Sequence, residues 1–135
     1  MSNNNINPSK ESTFAEAIAN IYKPLNNNKK FKEEYKNDTF KILLNPKDGK
    51  FAALITVDNG KLSVESIENT SKKNLDQKVL GWNGLMQTTK ELFSSIGRGE
   101  LSTSDIAKKV VTRKIKVKNT KILTKFSELG SILRE

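Results

Sequence analysis

From residue 39 the spacing of apolar residues changes from about four to two, and turn-forming residues cut the new pattern into short runs. Phe40, Ile42 and Leu44 alternate with Lys41, after which Asn45, Pro46, Lys47, Asp48 and Gly49 supply a turn. Phe51, Ala53, Ile55 and Val57 resume the alternation, while Ala52 and Leu54 make this run apolar on both faces, the mark of an inner strand. Asp58, Asn59 and Gly60 form a second hairpin turn, followed by Leu62 and Val64 alternating with Lys61, Ser63 and Glu65. Three strands joined by two tight turns predict an antiparallel meander, and the rest of the chain must cover it.

Helical spacing flanks the meander on both sides. Ser12 is placed to cap a helix carrying Phe14, Ile18, Ile21, Tyr22 and Leu25, in which Pro24 should introduce a kink or start a second helix. Asn26, Asn27 and Asn28 are poor helix formers, so Phe31 and Tyr35 belong to a separate short element. Beyond the meander, residues 77–82 are expected to form a fourth strand, and Leu85, Thr89, Leu92, Phe93 and Ile96 a helix that stops at Gly97. Ser102 or Thr103 can cap a further helix with Ile106 and Val110, with Asp105 favourably placed in its first turn. Ile115 and Val117 alternate with Lys114, Lys116 and Lys118, a strand with one lysine-lined face. Ile122, Phe126, Leu129 and Leu133 then recur at i, i+4, i+7 and i+11, giving the cleanest amphipathic helix of the chain.

Helix, helix, three strands, strand, helix, helix, strand, helix is an α+β order: an antiparallel sheet with helices over one face. The 135 residues suit one domain, read as residues 12–135 behind a flexible polar leader over residues 1–11. With neither cysteine nor histidine, disulfide frameworks, thiolate nucleophiles, His-dependent triads and imidazole- or thiolate-bound metals are excluded. The start of the chain has no apolar signal core, and no run approaches the roughly 20 apolar residues of a membrane span, so a cytoplasmic location is expected.

Charge is concentrated at the other end. Residues 106–135 hold nine Lys/Arg and two Asp/Glu, and so carry seven of the chain's nine net positive charges. The block has three readings: a solvated face, a surface for anionic lipid or the phosphates of an acyl-CoA, or a nucleic-acid contact. Against the last, its cations are not interleaved with aromatics expected to be exposed for base stacking. Gly97-Arg98-Gly99 reads either as a helix-ending turn or as a phosphate loop, and it lacks the pattern of a nucleotide loop. The acidic pairs Glu33 with Glu34 and Glu65 with Glu68 read as solvated carboxylates, so no enzyme role is assigned.

The stretch GRGELSTSDIAKKVVTRKIKVKNTKILTKFSELGSIL, residues 97–133, resembles the sterol carrier protein type 2 (SCP-2) family, and the likeness extends back to Phe14. Its features are a glycine-bearing turn, Leu101, a short helix with Ile106 and Val110, the strand Ile115-Lys116-Val117-Lys118, a polar turn at Asn119 and a terminal amphipathic helix. The family has a glycine before that strand and another after it; here Thr112-Arg113 and Asn119 stand there. The resemblance implies a five-stranded, mostly antiparallel sheet with helices over one face and an apolar cavity between the layers. It also implies a non-catalytic carrier, without cofactor or metal, of a sterol, fatty acid, fatty acyl-CoA or other lipid-like molecule such as an isoprenoid. The candidate cavity wall is Trp82, Met86, Phe93, Ile96, Ile106, Val110, Phe126, Leu129 and Leu133, with Arg98, Lys114, Lys116 and Lys118 as candidates for an anionic headgroup or a transient membrane contact. The alternative is a nucleic-acid-binding protein using the basic face, although no nucleic-acid partner is expected.

Overall fold

The computed structural model describes residues 13–134. The leader over residues 1–11 and the Ser12 cap lie outside them. Helix α1 (Thr13–Tyr22) runs into a 3-10 turn, Lys23–Asn27, with Pro24 at its second position, where the ring's fixed φ suits a helical start. Asn28 ends this turn and caps α2 (Lys29–Glu34) by accepting from the Phe31 N–H at 2.9 Å. The polar Asn run thus separates two helical elements.

Strands β1 (Thr39–Pro46), β2 (Phe51–Asp58) and β3 (Lys61–Glu68) form the expected antiparallel meander. Ile42 faces Ile55 and Leu44 faces Ala53 across β1 and β2, and Asn59 (φ 50°) and Gly60 (φ 82°) make the left-handed two-residue turn into β3. Strand β4 (Gly84–Thr88) pairs with the other edge of β1 in parallel, and β5 (Lys116–Lys118) pairs antiparallel with β4. The sheet order is β3-β2-β1-β4-β5, with one parallel pair among four.

Between β3 and β5 the structure departs from the sequence reading. Residues 77–82 do not form a strand: Gln77–Leu80 is one turn of helix, α3, capped by Asp76. Leu85 does not start a helix either, because it lies in β4, and helix α4 (Lys90–Gly97) begins only after the Thr89 cap. Leu85 happens to sit seven residues before Leu92, which imitates a helical repeat. Met86 points into the main core and Leu85 into a smaller one behind the sheet, so β4 is apolar at neighbouring positions and shows no alternation.

The main core lies on the face where Ile42, Leu44, Ile55, Val57 and Met86 meet side chains of α1, α4, α5 (Thr103–Val111) and α6 (Thr120–Leu133). On the reverse face Leu43, Ala52 and Leu54 pack under Trp82, whose indole N–H donates to the Leu75 carbonyl at 2.8 Å. The segment expected to extend the sheet therefore folds across its back. Helix α6 approaches β4 at Gly84, where a Cβ would collide with the Ile122 side chain. Absence of a side chain at that one position lets the helix sit directly on the sheet.

Both positions at which the resemblance calls for glycine, Arg113 (φ 65°) and Asn119 (φ 68°), have the left-handed backbone that glycine favours. Asn119 tolerates it: its Nδ2 donates to the Asn83 carbonyl at 2.9 Å, and its Oδ1 accepts from the Lys121 N–H that opens α6. Arg113 is exposed and carries the strain of the α5–β5 joint.

Candidate functional site

The expected wall residues come from β4, α4, α5 and α6, and most converge. Met86, Phe93, Ile96, Ile106, Phe126 and Leu129 are all buried in the main core, and half-buried Val110 and Leu133 pack against its edge. Trp82 does not join them, because the back-folded segment carries it to the opposite face of the sheet. The aromatic contacts Phe14–Phe93 and Tyr22–Phe126, each with ring centroids 5.4 Å apart, knit α1 to α4 and to α6.

Two spaces border this cluster. A groove of about 500 Å³ runs along the surface between α5 and α6, floored by Ile106 and Ala107 on one side and by Thr120, Thr124, Ser127 and Ser131 on the other. Those four hydroxyl-bearing residues recur at helical spacing, forming a polar stripe beside the buried stripe of α6. Beneath the groove lies a void of about 10 Å³, bounded by Tyr22, Ile96, Leu101, Ile106, Phe126 and Ser127, with Gly130 and Arg134 at its end. Ile106 and Ser127 border both spaces. Around this void Ile96, Leu101, Ile106 and Phe126 close up where the resemblance implies an open cavity.

The helices on either side of the groove are held unequally. Helix α6 buries Ile122, Phe126, Leu129 and Ile132, whereas among the described side chains of α5 only Ile106 is buried. Local structure, more than packing, maintains α5: a reciprocal capping box joins Ser102 and Asp105, and these bonds hold the Asp105 carboxyl below its ordinary range. At the void, the hydroxyls of Tyr22 and Ser127 are buried without a hydrogen-bond partner. Burial pushes the Tyr22 phenol up, and the nearby Arg134 charge pulls it partly back.

The candidate headgroup cations lie elsewhere. Arg98 is exposed and donates to both carboxylate oxygens of Glu100, at 2.6 and 3.3 Å, so its charge is already matched. Lys114, Lys116 and Lys118 are exposed along β5 and its approach, with half-buried Val117 turned inward between the last two. Lys125 lies 4.9 Å above the Phe40 ring and 3.8 Å from the Asp38 carboxylate, away from β5. Three polar residues at the void carry no local signal in the sequence: Tyr22 reads as a plain core position, and the pattern does not mark Ser127 or Arg134. A hydroxyl amid an apolar stripe shows its lack of partners only after the layers are assembled.

With this geometry the chain can be set beside known structures. It has an SCP-2-like fold: it matches the UbiJ-SCP2 ubiquinone synthesis protein with a TM-score of 0.62 over 96% of this chain and 95% of that one, at 8% identity. The stereoselective inverting sec-alkylsulfatase Pisa1 from Pseudomonas sp. matches with a TM-score of 0.53 at 16% identity over 73% of this chain, which spans only 14% of the sulfatase. Sterol carrier protein 2 from Yarrowia lipolytica, in its apo form, matches with a TM-score of 0.44 at 17% identity, over 85% of this chain and 91% of that one. No family model and no curated protein matches the sequence. No helix among the described residues is long and apolar enough to cross a membrane.

Proposed function

We propose that the protein is a non-catalytic carrier of a lipid-like hydrophobic molecule, a fatty acid, fatty acyl-CoA, sterol or isoprenoid, held between α4, α5, α6 and the sheet. The observation that supports this reading most is the seating of α5: a helix fixed to the body by Ile106 covers the boundary between a surface groove and an apolar interlayer core. Swinging α5 outward costs one buried side chain and a few half-buried ones. It would open a path lined by Met86, Phe93, Ile96, Phe126 and Leu129, with Val110 and Leu133 at the rim. Each methylene of a guest taken from water returns about 0.8 kcal/mol, enough for an acyl chain to offset that opening. The groove's 500 Å³ already falls within the roughly 300–1,000 Å³ of small-molecule sites.

The exposed Lys114, Lys116 and Lys118 favour transient contact with an anionic membrane, where a cytoplasmic carrier would load and unload. The whole of residues 12–135 acts as the one carrying unit. Uptake of a fluorescent fatty acid by the purified protein tests the proposal. Wild type should bind it in the micromolar range or tighter, and Leu129→Trp and Val110→Trp should lower uptake at least about tenfold while the circular dichroism spectrum stays native. Absence of uptake by folded wild type contradicts it.

A further inference from the structure

The apolar layer between the helices and the sheet contains two oxygens that the fold does not account for. Tyr22 closes α1 with its ring against Phe126, Ser127 lies in the middle of α6, and both line the void beneath the groove. Tyr22 Oη and Ser127 Oγ are shielded from bulk solvent, and neither has a hydrogen-bond partner among the described residues. A hydroxyl buried in this way gives up its bonds to water and destabilises a fold, so nearly all such groups in native proteins are satisfied. Phenylalanine and alanine would fill the two positions without that cost. Both unpartnered hydroxyls fall on one void, which points to a shared partner inside it.

The size of the void decides what that partner is. About 10 Å³ matches the lower bound for one water molecule and admits nothing larger. Apolar holes stay dry, whereas buried waters occupy places that two to four polar groups can reach. Besides the two hydroxyls, Arg134 lines the end of the void, its stem lying so close over Gly99 that a Cβ there would collide with it. Burial raises the Tyr22 phenol further than the Arg134 charge lowers it, so the phenol stays protonated at neutral pH and can donate. A water there meets the Tyr22 O–H as donor, the Ser127 hydroxyl as donor or acceptor, and guanidinium N–H groups at the rim.

We propose that the void is a hydration site in which one water molecule accepts from the Tyr22 O–H, donates to Ser127 Oγ and finds its third partner in the Arg134 guanidinium. The water joins the end of α1, the middle of α6 and the last described residue of the chain. It does so beside Ile106, the side chain that seats α5, so the polar bridge stands where α1, α5 and α6 meet. The site needs no guest between the layers, and it stands or falls apart from the carrier reading.

A crystal structure that resolves ordered solvent tests the site directly. A peak should lie about 2.6–3.2 Å from both Tyr22 Oη and Ser127 Oγ. No peak, or one within reach of a single hydroxyl, overturns the proposal. Heat denaturation gives a second reading, since a bridging water and a dry void predict opposite signs. With the bridge in place, Tyr22→Phe strands the water and should lower the Tm by about 3–6 °C. The same change in a Ser127→Ala background, where the bridge is already broken, should cost less than about half as much, and the helix preference of alanine cancels from that comparison. A Tm that Tyr22→Phe leaves unchanged or raises, or an equal fall in both backgrounds, contradicts a shared water.

Discussion

Helices α5 and α6 border the same groove and are built from similar amphipathic patterns, yet among the described side chains α6 sinks four into the main core where α5 sinks Ile106. The difference traces to what each meets. Helix α6 lands on β4 at a glycine, so Ile122 reaches the sheet and Phe126 stacks on Tyr22. Helix α5 reaches the core through Ile106, which borders the void with Ile96 of α4 and Phe126 of α6, and through half-buried Val110 at the edge. Amphipathic spacing decides which face of a helix turns inward. How deeply the face sinks depends on the partner surface.

Substitutions on the two helices should separate wall from cover. Phe126→Ala removes a fully buried ring and should cost about 3–5 kcal/mol by chemical denaturation, whereas Val110→Ala on α5 should cost less than about 1 kcal/mol. Equal losses would break the comparison. Gly84→Ala tests why α6 sits so low: its Cβ meets Ile122 head on, so it should destabilise by about 1–3 kcal/mol and loosen α6. The smallest effect belongs to the joint between α5 and β5. Arg113→Gly relieves a left-handed arginine and should stabilise by about 0.5–1 kcal/mol, while Asn119→Gly gives no gain because it also loses the α6 cap and the bond to Asn83.

The meander and α6 were legible in the sequence because α6 keeps one apolar stripe, and because Ile42, Leu44, Ala53, Ile55 and Val57 hold the period of two between turn-forming residues. Ala52 and Leu54 mark β2 as an inner strand because they face the second core behind the sheet. Residues 77–96 were not legible: β4 is covered on both sides, so Leu85 and Met86 fall together, and Leu85 aligns by chance with the repeat of α4. Trp82 reads as a cavity-wall residue because nothing local says that the chain between β3 and β4 crosses behind the sheet. Of the candidate site, the apolar wall could be read from periodicity. Its polar corner is assembled from residues more than 100 positions apart, Tyr22 and Ser127, and no local pattern encodes it.

Hydrogen exchange of the α5 and α6 amides, followed with and without palmitate, tests most directly whether one helix is a cover and the other a wall. Amides in residues 106–111 should exchange at least about 100-fold faster than those in the middle of α6, and palmitate should slow them while leaving α6 nearly as it was. If both helices exchange together at the rate of global unfolding, with or without palmitate, α5 does not open and the account is wrong.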